Sequence, residues 1–306
     1  MPKAVVTGAN GFVGAAVVKE LVHHDYEVLA VVHKDHMDRL HDIPHVQCIS
    51  CDLEEIASLP ERAAGQKYDL FFHFACTGSA GTLRGDAALQ LQNVQWTVQA
   101  IEAAKNLGCH RFIGAGSIME YEAVAAIKQP NAIGMGNIYG SGKLAAHIMG
   151  LAKAKELDID FLWGVITNIY GPGESSPRLV NTTIQKCLHG EPPKFTSGTQ
   201  NYDFIYIDDA AEAFRTIGEK GISNQEYVIG SSNAKPLKEF LLDMKNAIAP
   251  NLPFYFGDMP FSGISLPKKY FDCSITERDT GFKARVSFPE GCRRTADWWK
   301  CQMMRR

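Results

Sequence analysis

Lys3-Ala4-Val5-Val6-Thr7-Gly8-Ala9-Asn10-Gly11-Phe12-Val13-Gly14 is an apolar run that breaks into three glycines at three-residue spacing. Ala15-Ala16-Val17-Val18-Lys19-Glu20-Leu21-Val22 follows, its apolar residues recurring with helical period. The reading is strand, turn, helix. The glycines let the backbone turn sharply and approach a ligand with no Cβ in the way. First-turn N–H groups have no partners inside a helix, so they point at whatever anion lies there. A second apolar run, Glu27 to Val32, completes a βαβ unit. The turn therefore predicts a dinucleotide pyrophosphate site on Gly8, Asn10, Gly11, Phe12, Val13 and Gly14.

Three further strand patterns follow. Val46 to Leu53 reads as a strand ending in Asp52, Tyr68 to Ala75 as the next, and His110 to Gly116 as one ending at Ser117. A helical pattern from about Ala87 to Leu107 carries Asn93 and Trp96. Near-continuous apolar strands separated by helices imply a parallel sheet covered on both faces, the α/β class. Ligands of such sheets bind beyond the carboxyl ends of the strands, so Asp52, Phe74, Ala75 and Ser117 are expected to border one crevice.

Composition excludes several classes. The chain of 306 residues is 45% hydrophobic and 21% charged, as in ordinary globular proteins, and its net charge of -3 gives no reason to expect nucleic acid or an anionic membrane as partner. Neither a signal-peptide pattern nor an apolar run of membrane-spanning length is apparent, so a cytoplasmic protein is expected. Eight cysteines in such a chain are expected to be reduced thiols, and Cys48-x-x-Cys51 has no second pair to make a metal site. His33, His36, His41 and His45 lack carboxylate or cysteine partners at ligand spacing, so no metal is expected.

Ile138-Tyr139-Gly140-Ser141-Gly142-Lys143 starts a helix and places Tyr139 and Lys143 four residues apart on one face. An adjacent ammonium makes the ionised form of a phenol cheaper, so the two form a candidate proton-transfer pair. The Thr7-Gly8-x-x-Gly11-x-x-Gly14 turn, Asp52-Leu53, Ser117 and Tyr139-x-x-x-Lys143 together resemble the extended short-chain dehydrogenase/reductases, the nucleotide-sugar epimerase/dehydratase family. The likeness continues through Asn168-Ile169-Tyr170-Gly171-Pro172-Gly173, Asp203-Phe204-Ile205-Tyr206-Ile207-Asp208-Asp209, Asp279-Thr280-Gly281-Phe282 and Glu290-Gly291. It implies a doubly wound Rossmann domain, residues 1–168, and a smaller α/β C-terminal domain, residues 169–306, that binds substrate, with residues 203–220 returning to the first. It also implies that Tyr139 exchanges a proton while nicotinamide exchanges a hydride. Lys143 would hold the nicotinamide ribose, Ser117 would orient the substrate oxygen, and Asn168 would contact substrate. Leu53 and Asn93 join the cofactor residues on the same ground. A homodimer through the helices beginning near Ala87 and Tyr139 is expected by the same analogy.

The family pattern is broken in four places. Val32 stands where NAD-users place an acid for the adenosine ribose, and His33 and Lys34 follow, which favours NADP over NAD. The acidic pair that family 4,6-dehydratases carry after the Ser/Thr position is replaced by Ile118 and Met119, with Glu120 one step further. Tyr202 stands where nucleotide-sugar enzymes commonly have a diphosphate-binding Arg, and a second Arg is missing near Phe261 to Ser265; Arg178, Lys186 or Lys194 are candidate substitutes. The preferred expectation is an NADP-dependent ketoreductase acting on a 4-keto-6-deoxy nucleotide sugar. The alternatives are an NAD(P)-dependent sugar epimerase and a cofactor-sensing regulator on an idle scaffold.

Overall fold

The computed structural model describes residues 1–34, 36–261 and 263–304. Ser262, within the stretch where a second Arg is missing, lies outside the described residues. Seven strands form one parallel sheet: β1 (Lys3–Thr7), β2 (Glu27–Val32), β3 (Val46–Ser50), β4 (Leu70–His73), β5 (Arg111–Ser117), β6 (Asp160–Ile166) and β7 (Glu226–Ile229), in the order β7-β6-β5-β4-β1-β2-β3. Chain direction through the sheet reverses between β1 and β4, which opens a crevice above their carboxyl ends. Strand β3 stops at Ser50, two residues short of the expected end, because Asp52 already leads into a 3-10 turn, Leu53–Ser58. β6 and β7 extend the sheet beyond the five strands read from the sequence.

Both faces of the sheet are covered, so adjacent residues of one strand enter different cores. Phe112 of β5 packs with Phe71, Phe161 and Trp163, whereas Ile113 packs with Phe72 and Leu162 on the other side. The first face is covered by α2 (Ala87–Asn106) and α4 (Gly136–Glu156), which pack on each other. The second is covered by α1 (Phe12–His23) and by α6 (Ile207–Lys220), whose Ala210, Ala213, Phe214 and Ile217 are all fully buried. Helix α3 (Met119–Ile127) follows β5 and packs against α4.

The C-terminal layer contains α5 (Leu179–Leu188), α7 (Leu237–Ile248) and α8 (Phe288–Met304), with α8 lying against both of the others. An aromatic cluster seats it: the ring of Phe288 lies 4.8 Å from Phe204, 5.0 Å from Phe240 and 5.1 Å from Tyr170. The Asp203–Asp209 stretch acts as a clasp. The Asp203 carboxylate accepts from Ser231 N (2.7 Å), from Ser231 Oγ and from Asn233 N (3.4 Å). Asp209 Oδ2 accepts from the backbone N–H groups of Arg285 and Val286, at 3.1 and 2.9 Å. No helix among the described residues is long and apolar enough to cross a membrane.

Candidate active site

A cleft of about 740 Å³ runs over the carboxyl ends of β1, β2 and β4, lined by Gly8, Asn10 to Gly14, His33, His36, Asp52, Leu53, Phe74 and Ala75. Gly8 has φ +65°, and a Cβ there would lie 2.7 Å from Ala75 N, so both the turn and the approach of β4 require glycine. Helix α1 begins after Gly11 with no side chain capping its N-terminus, leaving first-turn N–H groups for an anion. This fits a dinucleotide pyrophosphate. At the far end, Asp52 Oδ1 meets His33 Nδ1 at 2.7 Å. Lys34 is exposed, with φ +47°, and is not among the lining residues, whereas His36 is. Asn10 Oδ1 is engaged by Arg39 N at 2.9 Å. Asn93 stands one layer back: its amide exchanges hydrogen bonds of 3.0 and 2.8 Å with the backbone of Thr77, bracing the loop after β4.

A second cavity of about 320 Å³ adjoins the first, with Ser79, Ala80, Glu174 and Arg178 bordering both. Ser117, Tyr139, Asn168 and Tyr202 line it, together with Arg84, Met119 and Glu122. Tyr139, 8% exposed, reaches it from the first turn of α4. Burial raises the Tyr139 pKa and outweighs the opposing pull of Lys143, so the phenol holds its proton at neutral pH. The Lys143 ammonium lies behind, donating to Ala115 O at 2.8 Å, beside the Cys76 thiol of the dinucleotide cleft. Asn168 donates to the backbone carbonyl of Asp203 (3.0 Å), which fixes its place on the wall. Of the candidate diphosphate ligands, Arg178 lines the cavity and pairs with Glu174 at 3.6 Å; Lys194 pairs with Asp258 on the surface, and neither Lys194 nor Lys186 is a lining residue.

Glu120, to which the sequence assigns no role, is 1% exposed beneath this cavity. Its Oε1 accepts from Ser117 N (2.8 Å) and Trp163 Nε1 (3.1 Å), and its Oε2 faces His147 Nδ1 at 3.2 Å. His147 in turn lies 3.5 Å from Glu226, which accepts from the Tyr121 hydroxyl. Potential ligand atoms of Glu120, His147 and Glu226 lie within 4.8 Å of one another, already engaged by these donors. The carboxylate thus sets the backbone of Ser117. His73 is a further unforeseen member: buried at the end of β4, it shares a 2.8 Å hydrogen bond with Thr7 Oγ1, and burial lowers its pKa to about 3. It is neutral there, a polar link between β1 and β4.

The model of the NAD dependent epimerase/dehydratase family matches residues 4–230. The chain is 23% identical to a trifunctional UDP-glucose 4,6-dehydratase/UDP-4-keto-6-deoxy-D-glucose 3,5-epimerase/UDP-4-keto-L-rhamnose-reductase of Arabidopsis thaliana, over 97% of this chain and 47% of that protein. It therefore spans about half the length of that relative. With the dTDP-glucose 4,6-dehydratase of Shigella flexneri it shares 22% identity over 97% of this chain and 92% of the other. Among solved structures it resembles the UDP-N-acetylglucosamine 4-epimerase from Methanobrevibacter ruminantium in complex with UDP-N-acetylmuramic acid (TM-score 0.82, 20% identity, 99% of each chain). It also resembles the UDP-glucuronic acid 4-epimerase from Bacillus cereus in complex with UDP-glucuronic acid and NAD (TM-score 0.79, 21% identity, 98% of this chain and 99% of the other).

Proposed function

The chain belongs to the NAD dependent epimerase/dehydratase family, and from that premise we propose that it is an NADP-dependent reductase of a keto group on a nucleotide-linked sugar. The observation that carries this reading is Tyr139: a phenol kept protonated by burial, in a cavity it shares with Ser117 beside a dinucleotide cleft. A neutral phenol is the form that donates. Tyr139 gives its proton to the carbonyl oxygen, Ser117 hydrogen-bonds the same oxygen, and Lys143 stabilises the phenolate left behind. A dinucleotide held in the cleft would supply the hydride. Gly8, Gly11 and Gly14 admit its pyrophosphate, Leu53, Phe74 and Ala75 line its cleft, and Asn93 braces the loop beside it.

The NADP preference is supported by Val32 at the end of β2, where no acid repels a 2′-phosphate, and by His33 and His36 in the cleft wall. Asn168, Arg178 and Tyr202 bind substrate, and residues 169–306 are mainly the substrate-binding domain, with residues 203–220 returning to the dinucleotide-binding one. Exposed Leu91 of α2 and Ile148 and Met149 of α4 support a homodimer through these helices. A second reading, an epimerase that oxidises and re-reduces one substrate, is favoured by the 4-epimerases among the solved structures of the same fold. Kinetics separate the two. A reductase consumes NADPH stoichiometrically; interconversion of two isomers without net cofactor turnover overturns the first reading in favour of the second. In either case Tyr139→Phe is expected to lower kcat by about 10²- to 10⁴-fold with dinucleotide affinity retained.

A further inference from the structure

Arg84 comes from a short 3-10 turn, Thr82–Gly85, in the loop between β4 and α2. Its guanidinium lies 4.7 Å from the ring centroid of Tyr139, in the wall of the cavity that also holds Ser117, Glu122 and Tyr202. Nε is buried with no hydrogen-bond partner, and Nη2 meets the Met119 thioether, a weak acceptor. Among the described residues Arg84 forms no ion pair, whereas Arg178, the other guanidinium of the cavity, has Glu174. Burial lowers the pKa of Arg84, yet a guanidinium keeps its charge in proteins. A buried guanidinium N–H lacking an acceptor is costly unless a ligand brings one.

The cavity itself offers little to answer that charge. Glu122 shares the space, but burial raises its pKa to about 7, so near neutral pH it is only partly ionised. Tyr202 is neutral, with its pKa pushed up to about 12. The position of the guanidinium then narrows the class of acceptor. It covers the ring of the proton-transferring residue, so what it meets is attached near the reacting carbon and not at the nucleotide end of the substrate. We propose that Arg84 receives a carboxylate borne by the sugar, which makes the substrate a nucleotide-linked sugar acid. The inference rests on the nucleotide-sugar reading and departs from a 6-deoxy sugar, whose methyl group offers a guanidinium nothing. Planar, bidentate contact with a carboxylate is what an Arg fork is built for.

Calorimetric titration of the full chain loaded with NADP or NAD tests this, with UDP-glucuronate against UDP-glucose, the corresponding dTDP pair, and UDP and dTDP alone. The uronate of at least one pair is expected to bind about tenfold tighter or more than its neutral counterpart. Arg84→Gln is expected to remove that difference and leave UDP or dTDP binding unchanged. Equal affinity for acid and neutral sugar in the wild type overturns the carboxylate assignment while the nucleotide-sugar reading stands. Loss of UDP or dTDP affinity in Arg84→Gln overturns it as well, because the guanidinium then serves the diphosphate. If the dinucleotide-loaded protein binds none of the sugars, the functional reading and this inference fall together. The wild-type comparison holds even if the variant misfolds.

Discussion

Glu122 retains a proton that an exposed carboxyl surrenders, because α3 carries it into a partly desolvated cavity where Arg84 only partly compensates. Its pKa rises from the ordinary 4.5 to about 7 on folding, so between those values the native state binds more protons than the unfolded one. The stability this confers is complete at low pH and is lost as pH rises through about 7. Wild type should therefore lose Tm relative to Glu122→Gln as pH is raised from about 5 to about 8. A Tm difference that stays constant across that range would refute the shift. Residues such as Glu122 and Arg84 were opaque in the sequence for a physical reason. Their meaning depends on which cavity a loop and a helix close over, and no local spacing encodes that. Tyr139 and Ser117 were legible because one sits a helical turn from Lys143 and the other ends an apolar strand. The balance at Tyr139 was not: sequence names the neighbouring ammonium but not the burial that outweighs it.

At the scale of elements, the site depends on how closely α4 approaches α3. A Cβ at Gly140 would lie 2.2 Å from the Met119 carbonyl oxygen and 2.9 Å from its carbon, both backbone atoms with little freedom to yield. Two effects oppose each other in Gly140→Ala. Helix propensity favours alanine by up to about 1 kcal/mol, while overpacking against rigid neighbours costs about 1–3 kcal/mol. Overpacking wins. The variant is expected to lose Tm and, because Tyr139 and the Ser117 end of β5 are adjacent to the strained contact, to lose kcat while dinucleotide affinity changes little. A Tm equal to or above wild type would show that the helices can separate without cost. The strands β1, β2, β4 and β5 could be read in advance from dense apolar runs that are buried on both faces. β6 and β7 have similar composition, Asp160–Ile166 and Glu226–Ile229, but lie among motifs whose family resemblance drew the reading toward substrate binding. Glu120 shows the same limit from the other side: its carboxylate serves Ser117, its near neighbour, but also Trp163 of β6, a partner that only the folded sheet supplies.

Across the whole molecule, Asp209 is one of the polar contacts that tie the C-terminal segment to the sheet. It is 4% exposed at the start of α6, on the sheet, and accepts the N–H groups of Arg285 and Val286 just before α8. Helix α8 in turn contributes Thr295 to the wall of the Tyr139 cavity. Removing the carboxylate leaves two donors without their acceptor, at about 1–3 kcal/mol each if they stay buried. Asp209→Ala is therefore expected to loosen residues 285–304 before it loosens the sheet. Hydrogen exchange should quicken in that segment and stay slow in β1, β4 and β5, with substrate affinity reduced and dinucleotide affinity retained, because among the described residues α8 lines the Tyr139 cavity through Thr295 and contributes nothing to the dinucleotide cleft. Asp209→Asn keeps one acceptor oxygen and should recover most of the protection, which separates loss of the hydrogen bonds from a general effect of substitution. If exchange instead quickens evenly through the sheet and the C-terminal helix, the two layers unfold as one unit, and the clasp holds the whole fold together instead of fastening a cover onto it.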